Sequence, residues 1–179
     1  MASIRKTSLA VFLIFIFFAS SSAAGPAHFN IVIKKAERKL YLYENDSLVK
    51  TYKIALGLAP VGRKQMRGDQ KTPQGEYYIS SKNSRSQFYR ALGISYPNAE
   101  DAGRGLNSGI ITKNDFRTIQ AAIRGHLIPP QHTSLGGEIF IHGNGTSRDW
   151  TWGCVALEDT DIKELFDKIP VRTPVTIEQ

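Results

Sequence analysis

Two residues in the stretch Ile139–Leu157 have side chains that could do chemistry together: His142, at the end of the apolar run Ile139-Phe140-Ile141, and Cys154, the only cysteine in 179 residues. A thiol attacks a carbonyl as its thiolate, and imidazole is the usual base that takes the proton. Glycines adjoin both residues. Gly143 allows the chain to turn sharply after His142. Gly153 leaves room for a substrate carbonyl beside the backbone N–H groups of Gly153 and Cys154, where an oxyanion would be held. Taken singly, a lone cysteine is more often a small buried apolar residue, and a lone histidine more often structural. Their proximity and shared glycine neighbours raise a Cys/His site above that background.

A single cysteine forms no internal disulfide, and in an oxidising compartment a free thiol is a liability unless buried or used. Export is expected from the first residues. Arg5 and Lys6 precede the apolar run Leu9–Phe18, and the small residues Ser20–Ala24 follow. This pattern predicts a secretory signal peptide over 1–24 and a single domain over 25–179, placing the protein in the periplasm or cell wall. The apolar run falls short of the ~20 residues of a transmembrane helix. A membrane partner is therefore expected only if the signal stays uncleaved. Without Arg5 and Lys6, 21 basic residues face 16 acidic ones. That balance suits an anionic partner such as a wall polymer. Export and the lack of a dense basic run argue against nucleic acid. Four scattered histidines and one cysteine lack zinc spacing, so neither metal nor cofactor is expected.

Apolar alternation predicts strands over Asn30–Lys34, Lys39–Tyr43, Leu48–Leu56, Glu76–Ser80, Phe88–Ile94, Ile139–Ile141 and Val171–Ile177. Glu44-Asn45-Asp46-Ser47 reads as a hairpin turn. Ala59–Lys71 reads as a loop with four basic residues, Arg63, Lys64, Arg67 and Lys71. Helical spacing predicts Thr112–Gly125, with Thr112 and Asp115 as a capping pair, as a cover over the site. A second helix is predicted over Asp159–Ile169, ended by Pro170. Gly103–Gly109 reads as flexible. The expected class is mostly β with two helices around a mixed sheet. His126 and His132, flanking Pro129-Pro130, read as surface or packing residues.

The pattern His142-Gly143, a spacer, then Thr151-x-Gly153-Cys154 resembles the signature of the YkuD-type L,D-transpeptidases, enzymes that cross-link peptidoglycan. Two further segments resemble that family in the same order: Thr72-Pro73-Gln74-Gly75 and Tyr96-Pro97-Asn98. The step of twelve residues from His142 to Cys154 is shorter than in many members. Trp152 stands where a second histidine is common, and Ala156 where arginine or asparagine is common. The resemblance covers 29–179 and implies a β-sandwich-like catalytic fold with a cysteine-dependent acyltransferase activity. Cys154 would be nucleophile and His142 base; no acid adjoins the histidine in sequence, so a backbone carbonyl, that of Gly143 or a neighbour, is expected to orient it. Thr151, Trp152, Asn144 and Tyr96 would line the substrate cleft. The implied partners are peptidoglycan stem peptides, with carbapenem-type β-lactams as inhibitors. L,D-carboxypeptidase, protein-anchoring transpeptidase and a non-catalytic wall-binding module are the alternatives. A thiol paired with His142 is expected to alkylate rapidly at neutral pH, and an inert one is not.

Overall fold

The computed structural model describes residues 27–179, so the predicted signal peptide over 1–24 lies outside the described residues. The chain order is β1 (Phe29–Lys34), β2 (Lys39–Glu44), β3 (Ser47–Lys53), β4 (Gly75–Ser86), β5 (Tyr89–Ile94), α1 (Ala99–Asn107), α2 (Lys113–Arg124), β6 (Phe140–His142), β7 (Val155–Ala156), α3 (Asp159–Lys168) and β8 (Pro174–Glu178). Leu40 and Leu42 of β2 are buried while Tyr41 and Tyr43 face the half-exposed side, as the period of two requires. Asn45 and Asp46 both take positive φ, 50° and 64°, which makes the β2–β3 connection a two-residue turn matched to the twist of its strands.

The strands form one mixed sheet in the order β3-β2-β1-β8-β4-β5-β6-β7. β1 pairs with β8, and β6 with β7, in parallel; the other pairs are antiparallel. β4 joins the two halves: Gly75–Tyr78 pair with β8, and Ile79–Ser86 pair with β5. The sheet curls until its ends meet. Beyond β3, Ala55 bridges Ala156 of the far edge strand, exchanging hydrogen bonds of 2.9 and 2.8 Å, and Gly57 bridges Thr151. A continuous core of Ile31, Leu40, Ile54, Ile79, Leu92, Ile141, Val155 and Val175, covered by Ile162 and Leu165 of α3, fills the curl.

There are three helices among the described residues rather than two. The additional one, α1, spans residues that read as a turn and a flexible glycine segment. Asn98 caps it, accepting from Asp101 N while the Asp101 carboxylate accepts from Asn98 N, a reciprocal box three residues apart. Gly103 and Gly105 lower its propensity, yet Gly105 is required. A Cβ there would sit 2.9 Å from Leu135 Cδ2, so the bare backbone lets the helix pack. α2 forms as expected, with Thr112 and Asp115 as its capping box and Gly125 at its end. It does not cover Cys154. Ile119 of α2 packs with Ala102, Ile111 and Leu135 in a separate small core.

Candidate active site

The register β6–β7 sets the geometry of the site. Ile141 pairs with Val155 and His142 with Ala156, so Cys154 stands level with Phe140. Residues two apart on a strand share a face. His142 and Cys154 are therefore diagonal neighbours on one face of the sheet edge, with Cα atoms ~8 Å apart.

His142 is buried. Its Nδ1 lies 2.7 Å from the Gly143 carbonyl oxygen. A carbonyl only accepts, so Nδ1 carries the proton and Nε2 presents the lone pair, the tautomer a general base needs. Phe88 stacks on the imidazole at 4.6 Å and Trp150 meets it edge-on at 5.5 Å. This apolar enclosure pushes the imidazole below its ordinary pKa; the Gly143 carbonyl pulls the other way and loses. Gly143 has to be glycine. A Cβ there would lie 2.4 Å from Asp159 Oδ1 and 2.9 Å from the Phe88 carbonyl, which accepts the Gly143 N–H at 3.0 Å.

Cys154 is half-buried. Its Sγ accepts from Phe140 N–H at 3.4 Å and donates to the Glu138 carbonyl at 3.4 Å. Burial pushes the thiol up to about 11, against the lowering effects of the Phe140 N–H and the Lys64 charge, with Glu138 adding to the rise. A raised thiol and a depressed imidazole both favour the neutral pair over an ion pair. Labelling of Cys154 is therefore expected to accelerate as pH rises.

Gly153 takes φ +126°, and a Cβ on it would lie 2.7 Å from the Lys71 carbonyl, so the loop before β4 passes directly against the turn. The Gly153 N–H is committed to Thr151 Oγ1 at 3.2 Å. It therefore does not point at a substrate, and an oxyanion donor at this turn has to come from Cys154 itself. Thr72, of the Thr-Pro-x-Gly segment, is fully buried. Its Oγ1 accepts from Gly57 N at 3.2 Å and approaches the Cys154 carbonyl at 3.5 Å. That segment braces the site and touches no open surface near Sγ.

The residues expected to contact substrate separate on inspection. Trp152 does line the thiol cleft, 72% exposed. Thr151 does not: it is buried and donates to the Cys154 carbonyl at 2.8 Å. Tyr96 is fully buried, with its hydroxyl on the Leu135 carbonyl at 3.0 Å, so it supports the loop beside the cleft and offers no surface. Asn144 follows β6 and sits beside the first turn of α3, its N–H on Asp159 Oδ1 at 2.8 Å, and is not among the residues lining the thiol cleft. The structure adds others. A cleft of about 300 Å³ at Cys154 is lined by Lys64, Arg67, Gly136, Glu138 and Trp152. A second, of about 300 Å³, opens on His142 between Phe88, Ser86 and Phe140. The basic loop 63–71 was visible in the sequence as charge; its placement beside Cys154 was not. Among the described residues no group of histidine, cysteine and carboxylate side chains could hold a metal.

The model of the YkuD family, the L,D-transpeptidase catalytic domain, matches residues 28–177. YafK of Escherichia coli strain K12, which carries a provisional L,D-transpeptidase name, is 38% identical over 142 residues, covering 76% of this chain and 45% of that protein. YcfS of the same organism, similarly named, is 29% identical over 160 residues, 82% of this chain and 43% of that protein. The chain thus spans under half the length of these curated relatives. Among solved structures, the helical cell shape determining protein Pgp2 from Campylobacter jejuni superposes with a TM-score of 0.57 at 24% identity, over 86% of this chain and 48% of that one. An L,D-transpeptidase from Xylanimonas cellulosilytica does so at 0.51 and 14%, over 86% and 62%. Both share the fold of this curled mixed sheet. The chain belongs to the YkuD family of L,D-transpeptidase catalytic domains.

Proposed function

We propose that this chain is a cysteine-dependent L,D-transpeptidase acting on peptidoglycan stem peptides. The observation that carries this reading is the pairing of a neutral, Nδ1-protonated His142 with Cys154 on one face of the β6–β7 edge. Because both groups rest neutral, Nε2 takes the thiol proton as Sγ attacks, rather than beforehand. The attacked carbonyl lies between an L-centre and a terminal D-alanine. The tetrahedral oxyanion is held by the Cys154 N–H. Collapse breaks the C–N bond, His142 returns the proton to the leaving amine, D-alanine departs and a thioester remains. The side-chain amine of a second stem peptide then attacks the thioester. His142 accepts the amine proton and returns it to sulfur, leaving a 3→3 cross-link.

The test uses the purified chain, with its leader removed if present, and a disaccharide-tetrapeptide read by mass spectrometry. A dimer that has lost one D-alanine, absent with Cys154→Ala, supports transpeptidation. A tripeptide monomer moves the acceptor to water, making the enzyme a carboxypeptidase. Full turnover by Cys154→Ala would sink the cysteine mechanism. A carbapenem adduct on Cys154 by intact mass, lost in the same variant, tests inhibitor acylation. Export is proposed from the leader-like residues 1–24, and N-terminal sequencing of the protein from a periplasmic extract checks it.

A further inference from the structure

Lys64 is the one charged side chain that is both deeply buried and part of the wall of the thiol cleft, and catalysis as derived above does not use it. Its side chain is 3% exposed. It borders the Cys154 cleft on one side and, on the other, a neighbouring cavity of about 260 Å³ reached by Arg63 and Arg104. Among the described residues its ammonium donates to Asp69 Oδ1 at 2.7 Å and to the Met66 carbonyl at 3.0 Å. An ammonium has three hydrogens, so one is not taken by these acceptors; the Tyr96 ring, its centroid 6.0 Å from Nζ, flanks the same group.

The surroundings hold this cation in place. Asp69 also accepts the N–H groups of Gln65 (2.7 Å), Met66 (3.1 Å) and Lys71 (3.1 Å), so its charge is shared among four donors and the loop is wrapped around the ammonium. Burial raises the Asp69 carboxyl, but these bonds outweigh it and keep it below its usual range. From the opposite wall Gly136, at φ +90°, would place a Cβ 3.4 Å from Lys64 Cε and 3.3 Å from Arg67 Cα. A side chain there would be strained by the positive φ and would crowd the lysine stem and Arg67. Burying an ammonium is costly.

We propose that the Cys154 cleft contains a carboxylate subsite anchored by Lys64, with Arg67 as its second cation. The inference rests on Cys154 being the nucleophile. Its ligand is a substrate carboxylate a few ångströms from the attacked carbonyl, either that of the leaving D-residue or that borne by the stem diamino acid. Glu138, exposed on the same rim, opposes it. Preference for anions therefore has to arise locally and not from the basic surface at large.

The test compares alkylation of Cys154 by iodoacetate and by iodoacetamide at mildly alkaline pH, each rate normalised to that of glutathione. Both reagents form an S–CH₂ bond and expel iodide; they differ in bearing a carboxylate or an amide. The wild-type ratio is expected to favour iodoacetate by about tenfold, to collapse in Lys64→Met, to recover in Lys64→Arg and to stay unchanged in Lys113→Met on α2. A misfolded variant would lose the ratio as well, so the Lys64→Met result counts only with a wild-type melting transition and near-UV circular dichroism spectrum. An unchanged ratio in Lys64→Met overturns the subsite while leaving the nucleophile standing. Labelling by neither reagent removes the nucleophile and the subsite with it. With stem-peptide donors amidated at one carboxylate or the other, the amidation that raises KM in wild type but not in Lys64→Met identifies the carboxylate held. If neither amidation does so, the subsite is not one for substrate.

Discussion

Thr151 Oγ1 donates a 2.8 Å hydrogen bond to the carbonyl of Cys154 and accepts the Gly153 N–H at 3.2 Å, so one hydroxyl closes the turn that carries the thiol. Thr151→Val leaves the Gly153 N–H without a partner and the Cys154 carbonyl with only the long contact from Thr72 Oγ1, at a cost of about 1–3 kcal/mol. It also lets the turn shift, and a shift of ~1 Å is enough to lower kcat/KM by about 100-fold. Thr151→Ser keeps the hydroxyl and most of the rate. Steady-state kinetics with thermal melts for both variants test this. A Val variant as active as wild type would show that the turn holds itself.

The His142 enclosure fixes a pH signature. The base works neutral, and burial lowers its pKa below 6.5, so the acid limb of kcat/KM is expected below pH 6.5. Phe88→Ala admits water to the ring and moves that limb up toward 6.5. Stability follows with a definite sign. The unfolded chain binds a proton near 6.5 that the folded chain refuses, so the melting temperature falls as pH drops through that value. A pH–rate profile of both proteins, with melts across the same range, is the measurement. An acid limb that Phe88→Ala leaves in place would separate the stacking from the proton chemistry.

Gly143→Ala forces a methyl against Asp159 Oδ1 and the Phe88 carbonyl. The carbonyl that orients His142 belongs to this residue, so the substitution disturbs the base as well as the fold. A loss of about 1–3 kcal/mol is expected, with activity falling further than the folded fraction does. Activity per folded molecule, from denaturation curves and kinetics on one sample, distinguishes the two effects.

Lys35 is fully buried, its ammonium on the Gly62 carbonyl at 2.6 Å and the Thr72 carbonyl at 3.0 Å, at the base of the loop that reaches Cys154. Burial first, then Lys71 and Arg38, lower its pKa to about 8. A lowered base gives an unfavourable contribution in full below about 8, relieved as pH rises toward the unfolded value of 10.5. Wild type is expected to gain stability relative to Lys35→Met between pH 8 and 10. Parallel melts of the two proteins check it, and a constant difference would mean that Lys35 stays charged throughout.

Much of this was legible in the sequence because its signals are local. Alternation marks β1, β2 and β3, the Asn45-Asp46 pair marks the β2–β3 turn, and the His-Gly and Gly-Cys steps mark the candidate pair. α1 was obscured because Gly103 and Gly105 read as breakers, whereas the Asn98–Asp101 box and the need for space against Leu135 were the stronger terms. Thr151 and Asn144 read as substrate residues by nearness to the motif, and Tyr96 through the family-like Tyr-Pro-Asn segment. Which way each points depends on partners far along the chain: Leu135 for Tyr96 and Asp159 for Asn144. Lys64 appeared as one basic residue among four, and the burial that sets it apart is a tertiary property.

The bridge between Ala55 and Ala156 joins residues 101 positions apart, across the two free edges of the sheet. Contacts of such separation carry a large loop-closure cost and are slow to form. Thr151, whose N–H donates to the Leu56 carbonyl at 3.1 Å, becomes fixed only when that seam closes. The seam thus ties the turn that carries Cys154 to the opposite edge of the sheet, so the position of the thiol depends on closure of the whole curl.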